Sequence, residues 1–187
     1  DPIEEGITDY QIGTKIPFSL FKEVLSAFAD VFKKTGQEAA AQIYKKPDGT
    51  YYIYYPEQYI SAGSVEYGDD KHITEIRATD TLIVELHSHN SMSAFWSGTD
   101  DANESDLGYY IVIGTFGTSS CTYKARIKYA KLTKDITLSD IFDCTPEEAT
   151  AALVYETIPV GDGAIFTQIK ERPAVATTPY YNKAYGY

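Results

Sequence analysis

Residues 17–34, PFSLFKEVLSAFADVFKK, carry apolar side chains at Leu20, Phe21, Val24, Leu25, Phe28, Val31 and Phe32. Steps of three and four line one face of an α-helix, with Ser19 near its start and Gly36 as a stop just past its end. Residues 35–44 lead into a strand whose first residues include Glu38. The turn Pro47-Asp48-Gly49 then joins Ile43-Tyr44 to Tyr51-Tyr52-Ile53-Tyr54-Tyr55, which predicts a hairpin. On its second arm Tyr51, Ile53 and Tyr55 share one face and Tyr52 and Tyr54 the other, and one of these faces should be core. Residues 73–77 (ITEIR), just after His72, alternate like a further strand. Residues 81–86 (TLIVEL) are β-branched and apolar and predict a strand. Residues 109–116 form another apolar run, residues 117–120 turn the chain, and residues 121–129 (CTYKARIKY) alternate as the antiparallel partner. Thr145 and Pro146 have the chemistry of an N-cap and first helical residue, for a helix reaching to about Tyr155. Gly161-Asp162-Gly163 marks a turn. From Glu171 onward periodicity is absent and an extended tail is expected.

The strand over residues 81–86 runs into His87-Ser88-His89, and the segment HSHNSMSAFWSGTD reads H-S-H-x7-S-x2-D, ending with Ser97 and Asp100. Side chains two apart on a strand share a side, so His87 and His89 project together and Ser88 faces the other way. Asn90 to Ser93 begin a loop. Thr99 is a candidate N-cap for a short helix through Glu104, which puts Asp100 in its first turn, able to reach back to the histidines. Two imidazoles and one carboxylate are the ligand set of a catalytic zinc, with the fourth position left for water. Ser97 adds a hydroxyl aimed at the reacting group. Each residue also has a plainer reading: histidines hydrogen-bonded at a strand end, an aspartate attracted to a helix N-terminus, a serine in a turn. Their joint occurrence at this spacing favours zinc hydrolysis.

With these residues the segment resembles the signature of the JAMM (MPN+) metalloprotease family, matching it at every named position. Phe95-Trp96-Ser97 and Asp100-Asp101 are more similar to the prokaryotic JAB branch, including proteins that accompany E1-like (ThiF) genes. The resemblance implies a single-domain α/β fold, JAB/MPN-like and similar to cytidine deaminases, with a mixed β-sheet flanked by helices. The resemblance also implies bound Zn2+ and cleavage of an amide after a flexible, ubiquitin-like C-terminal tail, with an E1-like pathway partner. The family uses a glutamate upstream, after the first long helix, as general acid/base. Glu38 holds that place, although the proline and glycine that often flank it are absent. Glu66 and Glu85 are the alternatives, and Glu85 is disfavoured because it shares the histidines' strand. Glu38 would take a proton from water and deliver it to the leaving amine. Ser97 would hydrogen-bond the oxyanion, an interaction of a class worth roughly 2.7–4 kcal/mol.

Composition narrows the picture without adding chemistry. With 187 residues, 43% of them hydrophobic, the chain can bury one sizeable core. No internal repeat or linker divides it, so the expected organisation is an N-terminal segment 1–16, a metalloprotease domain 17–170 and a tail 171–187. Residues 47–68 and the loop after His89 are the natural places for insertions around a groove. A net charge of −11 without a Lys/Arg cluster argues against nucleic acid. No apolar run is long enough for a membrane helix and no signal-peptide pattern appears, so a soluble cytoplasmic protein is expected. Cys121 and Cys144 are expected as reduced structural thiols. His72 reads as a surface or strand-edge residue. The tyrosine-rich arm could bind a partner, but strand propensity accounts for it. Phe95 and Trp96 could wall a substrate channel or anchor the motif loop, and anchoring suits Trp96 better. Two other function classes stay open: a zinc hydrolase of a cell-wall or small-molecule amide, and an inactive metal-binding interaction module.

Overall fold

The computed structural model describes residues 14–61, 63–68, 71–96, 107–171 and 183–186. In chain order it contains β1 (Ile16–Pro17), α1 (Phe18–Thr35), β2 (Ala40–Lys45), β3 (Tyr51–Tyr54), β4 (Gln58–Ile60) and β5 (Ser64–Tyr67). Then come α2 (Lys71–Arg77), β6 (Thr81–Ser88), β7 (Leu107–Gly114), β8 (Thr122–Tyr129) and β9 (Leu132–Ile136). The C-terminal part adds α3 (Leu138–Ile141), β10 (Phe142–Asp143), α4 (Pro146–Ala152), β11 (Ile169–Lys170) and β12 (Lys183–Gly186). This is a mixed α/β domain.

The central sheet has the order β3-β2-β6-β7-β8-β9. All its neighbours are antiparallel except β6 and β7, which run parallel. Its core face carries Ala41 and Ile43 from β2, Val84 and Leu86 from β6, Ile111 and Ile113 from β7, and Ala125 and Ile127 from β8. The apolar stripe of α1 packs there through the fully buried Phe21, Val24, Phe28 and Val31. Gly36 ends α1 in the left-handed region at φ 67°, its N–H donating to the Phe32 carbonyl. Phe18 and Phe21 also gather Phe142 of β10, whose ring lies 5.3 Å from that of Phe21.

The hairpin over Ile43 to Tyr54 forms as its sequence predicts, with Ile43 opposite Ile53. Tyr51, Ile53 and Tyr55 pack on the core, while Tyr44 stacks on Tyr52 and meets Tyr54 edge-on, so both faces of the arm are used within the fold. Residues 71–77 depart from expectation: they form a helix, not a strand. Ile73, Ile76 and Arg77 fall at i, i+3 and i+4, one helical face with Ile73 buried, and so short a stretch fits either period. His72 lies on the exposed side of that helix, 3.8 Å from Glu75.

Thr145 caps α4 through the Glu148 N–H, with Pro146 in the first turn, but the helix stops at Ala152 and not near Tyr155. Tertiary contacts end it: the Leu153 carbonyl accepts from the Cys121 N–H, and Val154 bridges to Ser120. Both cysteines are free, and burial pushes the Cys121 thiol up to about 11, which suits packing and not nucleophilic chemistry.

A second, four-stranded sheet of order β11-β4-β5-β12 has no counterpart in the sequence reading. Part of the expected tail belongs to it, since Lys183–Gly186 pairs antiparallel with Ser64–Tyr67. Four residues, Lys183–Gly186, carry too little alternation to announce a strand. The helix expected from Thr99 to Glu104 lies outside the described residues.

Candidate functional site

Pairing β6 parallel to β7 fixes where the motif sits. A parallel pair needs a crossover that leaves the C-terminal end of one strand and returns to the start of the next. The chain leaves β6 at His89, which therefore stands at the C-terminal end of that strand. In α/β sheets such strand ends are where ligands collect.

Register decides which side chains meet. Leu86 and Val84 point to the core, so Glu85 and His87 point to the opposite face, with Tyr110 and Val112 as their partners on β7. His87 pairs with Ala40 of β2. The ladder continues one step further, because the Ser88 N–H donates to the Ala39 carbonyl at 2.9 Å. Glu38 stands two residues before Ala40, the cross-strand partner of His87. Ser88 faces the core side, where its hydroxyl accepts the Ala39 N–H at 2.9 Å. The His87 and His89 rings lie 5.3 Å apart. Glu38 and His89 are 0% exposed and His87 is 2% exposed. Glutamate is almost never fully buried unless it is paired or used, because removing a carboxylate from water is costly.

The site's walls hold these groups in place. The Glu38 N–H donates to the Ser61 carbonyl at 3.2 Å. Gln58 of β4 clamps Ala40, the first residue of β2: its carbonyl oxygen accepts the Ala40 N–H at 2.8 Å and its amide donates to the Ala40 carbonyl at 3.1 Å. Below, the Tyr67 hydroxyl donates to Glu85 Oε1 at 3.1 Å, which ties Glu85 to β5. Glu66, the other alternative, stands on β5 between the inward-facing Val65 and Tyr67.

His89 is oriented from behind. Its Nδ1 lies 3.3 Å from the Ser93 carbonyl. A carbonyl can only accept, so Nδ1 carries the proton and Nε2 keeps its lone pair, the arrangement metal-binding histidines use. The loop supplying Ser93 is stitched to the end of β7. The His89 N–H donates to Ile113, the Thr115 N–H to Met92 and the Phe116 N–H to Asn90. The approach is close enough that a Cβ on Gly114 would lie 2.4 Å from the Met92 carbonyl oxygen. The Phe95 ring lies tilted 4.5 Å from the His89 ring, and the Arg126 guanidinium sits 4.0 Å from the centre of Trp96. Trp96 therefore anchors the loop through a cation–π contact.

Burial depresses the basicity of both imidazoles. His87 is held well below its ordinary value by desolvation first, then by His89 and Arg126. His89 is lowered by desolvation against an opposing Ser93 bond. Both rings are thus neutral at neutral pH, the form that binds a metal.

Of the predicted residues, His87 and His89 are brought together, Glu38 is buried two residues before the partner of His87, and Ser97 and Asp100 lie outside the described residues. Among the described residues no three His, Cys, Asp or Glu side chains converge as a complete ligand set. Gln58, Arg126 and Gly114 were not singled out from sequence. Arg126 alone left a trace, as a charge between Ala125 and Ile127 on an otherwise buried strand.

No family model matches the chain and no curated protein matches it. Among solved structures it is similar to the solution structure of protein DSY2949 from Desulfitobacterium hafniense, at 13% identity and a TM-score of 0.45. That match covers 65% of this chain and 88% of the other. None of the described helices is long and apolar enough to cross a membrane.

Proposed function

We propose that the chain is a zinc-dependent metallopeptidase or isopeptidase of JAB/MPN-like architecture, cleaving an amide that follows an extended, ubiquitin-like C-terminal tail. The observation that carries this reading is the pair of buried imidazoles of His87 and His89, their rings 5.3 Å apart, with the buried Glu38 two residues before the cross-strand partner of His87. The donor set fits the ion: two neutral imidazoles, one with its Nε2 lone pair kept by the Ser93 carbonyl, precede a carboxylate at the motif spacing. His87, His89 and Asp100 would hold zinc, which supplies a Lewis acid that activates water at neutral pH.

The chain's own groups do the rest. Glu38 accepts the proton of the attacking water at its carboxylate and returns it to the leaving amine. The Ser61 carbonyl and Gln58 keep that carboxylate's strand in place. The Ser97 hydroxyl donates to the oxyanion as the carbonyl carbon becomes tetrahedral. Two free thiols suit a reducing cytoplasm as the setting. An E1-like pathway supplies the partner.

Metal analysis beside a cleavage assay tests this. Unmodified protein should bind zinc stoichiometrically and cleave a modifier-tail fusion, and a chelator should abolish the cleavage. His87→Ala and Asp100→Ala should lose the metal. Full zinc occupancy in His87→Ala would overturn the ligand assignment, and cleavage restricted to small amides would move the substrate to that class.

A further inference from the structure

β5 is bonded to β4 along one edge, and its other edge is filled by the chain's own C-terminal strand β12. The pairing is antiparallel, with Lys183 opposite Tyr67, Ala184 opposite Glu66, Tyr185 opposite Val65 and Gly186 opposite Ser64. The direction is informative. From Lys183 to Gly186 the backbone runs toward Ser64, whose carbonyl accepts the Ser61 N–H, and Ser61 in turn accepts the Glu38 N–H. The C-terminal end of β12 thus lies beside the turn that holds Glu38. The strand it rests on touches the site at two further points. Val65 packs on Ala40, the cross-strand partner of His87, and Tyr67 bonds Glu85.

We propose that the outer edge of β5 is a docking strand for an extended peptide tail, and that Lys183–Gly186 occupies it in cis as a displaceable plug. A sheet edge presents a row of N–H and C=O groups that accepts a strand of almost any sequence. A segment tethered to the same chain meets that edge at an effective concentration on the order of millimolar. It therefore holds off a free peptide but yields to a tail joined to a folded partner that makes further contacts. Four residue pairs are a short ladder, as a plug must be. The docking itself is independent of the metallopeptidase reading; only the use of the docked tail as substrate rests on it.

The test uses the full chain with Ala184→Pro and Tyr185→Pro together. Adjacent strand residues send their N–H groups to opposite edges, so one of the two donates toward β5 and proline removes it. The probe is a fluorescent peptide with the sequence of residues 182–187. It should bind the double variant about tenfold or more tighter than the unmodified chain. Hydrogen exchange gives a reading that needs no variant: in the unmodified chain the β5 amides not bonded to β4 should be protected, and excess peptide in trans should leave them so. In the variant they should exchange about tenfold faster or more and slow again when peptide is added. Equal peptide affinity in the two chains, or unprotected outer β5 amides in the unmodified chain, overturns the proposal. A binding difference with no amide cleaved by either chain keeps the docking strand and removes the metallopeptidase reading. Cleavage by both chains with equal peptide binding does the reverse.

Discussion

Glu38 is a fully buried carboxylate two residues before Ala40, which pairs with the buried His87. Glu38→Gln keeps the shape but exchanges one acceptor oxygen for an amide donor and cannot take a proton. It should retain zinc while cleavage falls by about 10²- to 10⁴-fold, the usual share of general acid–base catalysis. Normal turnover in that variant would put the base elsewhere. Gly114 tests the loop behind His89 without touching a ligand. A methyl there would press into the backbone of Met92, Ser93 and Ala94, shifting the carbonyl that orients the ring. Gly114→Ala should lower both zinc content and melting temperature, at a cost of about 1–3 kcal/mol for the overpacking.

At the scale of elements, the second sheet serves as a clamp on the strand that follows Glu38. Gln58→Ala removes the partner of both backbone groups of Ala40, and one buried unsatisfied group costs about 1–3 kcal/mol. The expected result is a lower melting temperature together with a loss of cleavage that exceeds any loss of zinc, because Gln58 bonds the strand two residues after Glu38 and no proposed ligand. Cleavage and zinc falling in proportion would make the clamp purely structural. The first helix offers a cleaner measurement of local physics. Gly36 sits at φ 67° with nothing near its Cβ position, so Gly36→Ala should cost about 1–2 kcal/mol through backbone strain alone. Denaturant unfolding would read that loss, with activity per folded molecule unchanged.

For the whole molecule, the buried histidines tie stability to pH. Desolvation lowers both in the fold, so below the ordinary value of 6.5 the unfolded chain binds protons that the folded chain refuses. Their contribution is therefore complete above about pH 6.5 and is lost as the pH falls. Metal-free protein should melt at progressively lower temperature from pH 7 to pH 5, and His87→Ala should flatten that slope. An equal slope in the variant would assign the acid sensitivity to other groups. The zinc-loaded protein should show a steeper dependence in the same direction, since protons compete with the ion for the same nitrogens.

What this sequence determined by itself was whatever follows from local periodicity. The α1 stripe, the hairpin at Pro47-Asp48-Gly49, the runs of β6, β7 and β8, and the shared side of His87 and His89 each depend on spacing within a dozen residues or fewer. Glu38 was legible only as a position after a helix, because the pairing of the strand that follows it with His87 is a matter of cross-strand register, which no short window contains. Tertiary structure decided the rest. A five-residue stretch around Ile73 became a helix because its two isoleucines could bury one helical face. The last turn expected of α4 was given up to pairing with Ser120 and Cys121. The four-stranded sheet, the Gln58 clamp and the pairing of the C-terminal strand with β5 join residues as far apart as Ser64 and Gly186. Their energy exists only once the backbone groups of distant segments lose water together, so the sequence of each segment, taken alone, carries almost no mark of it.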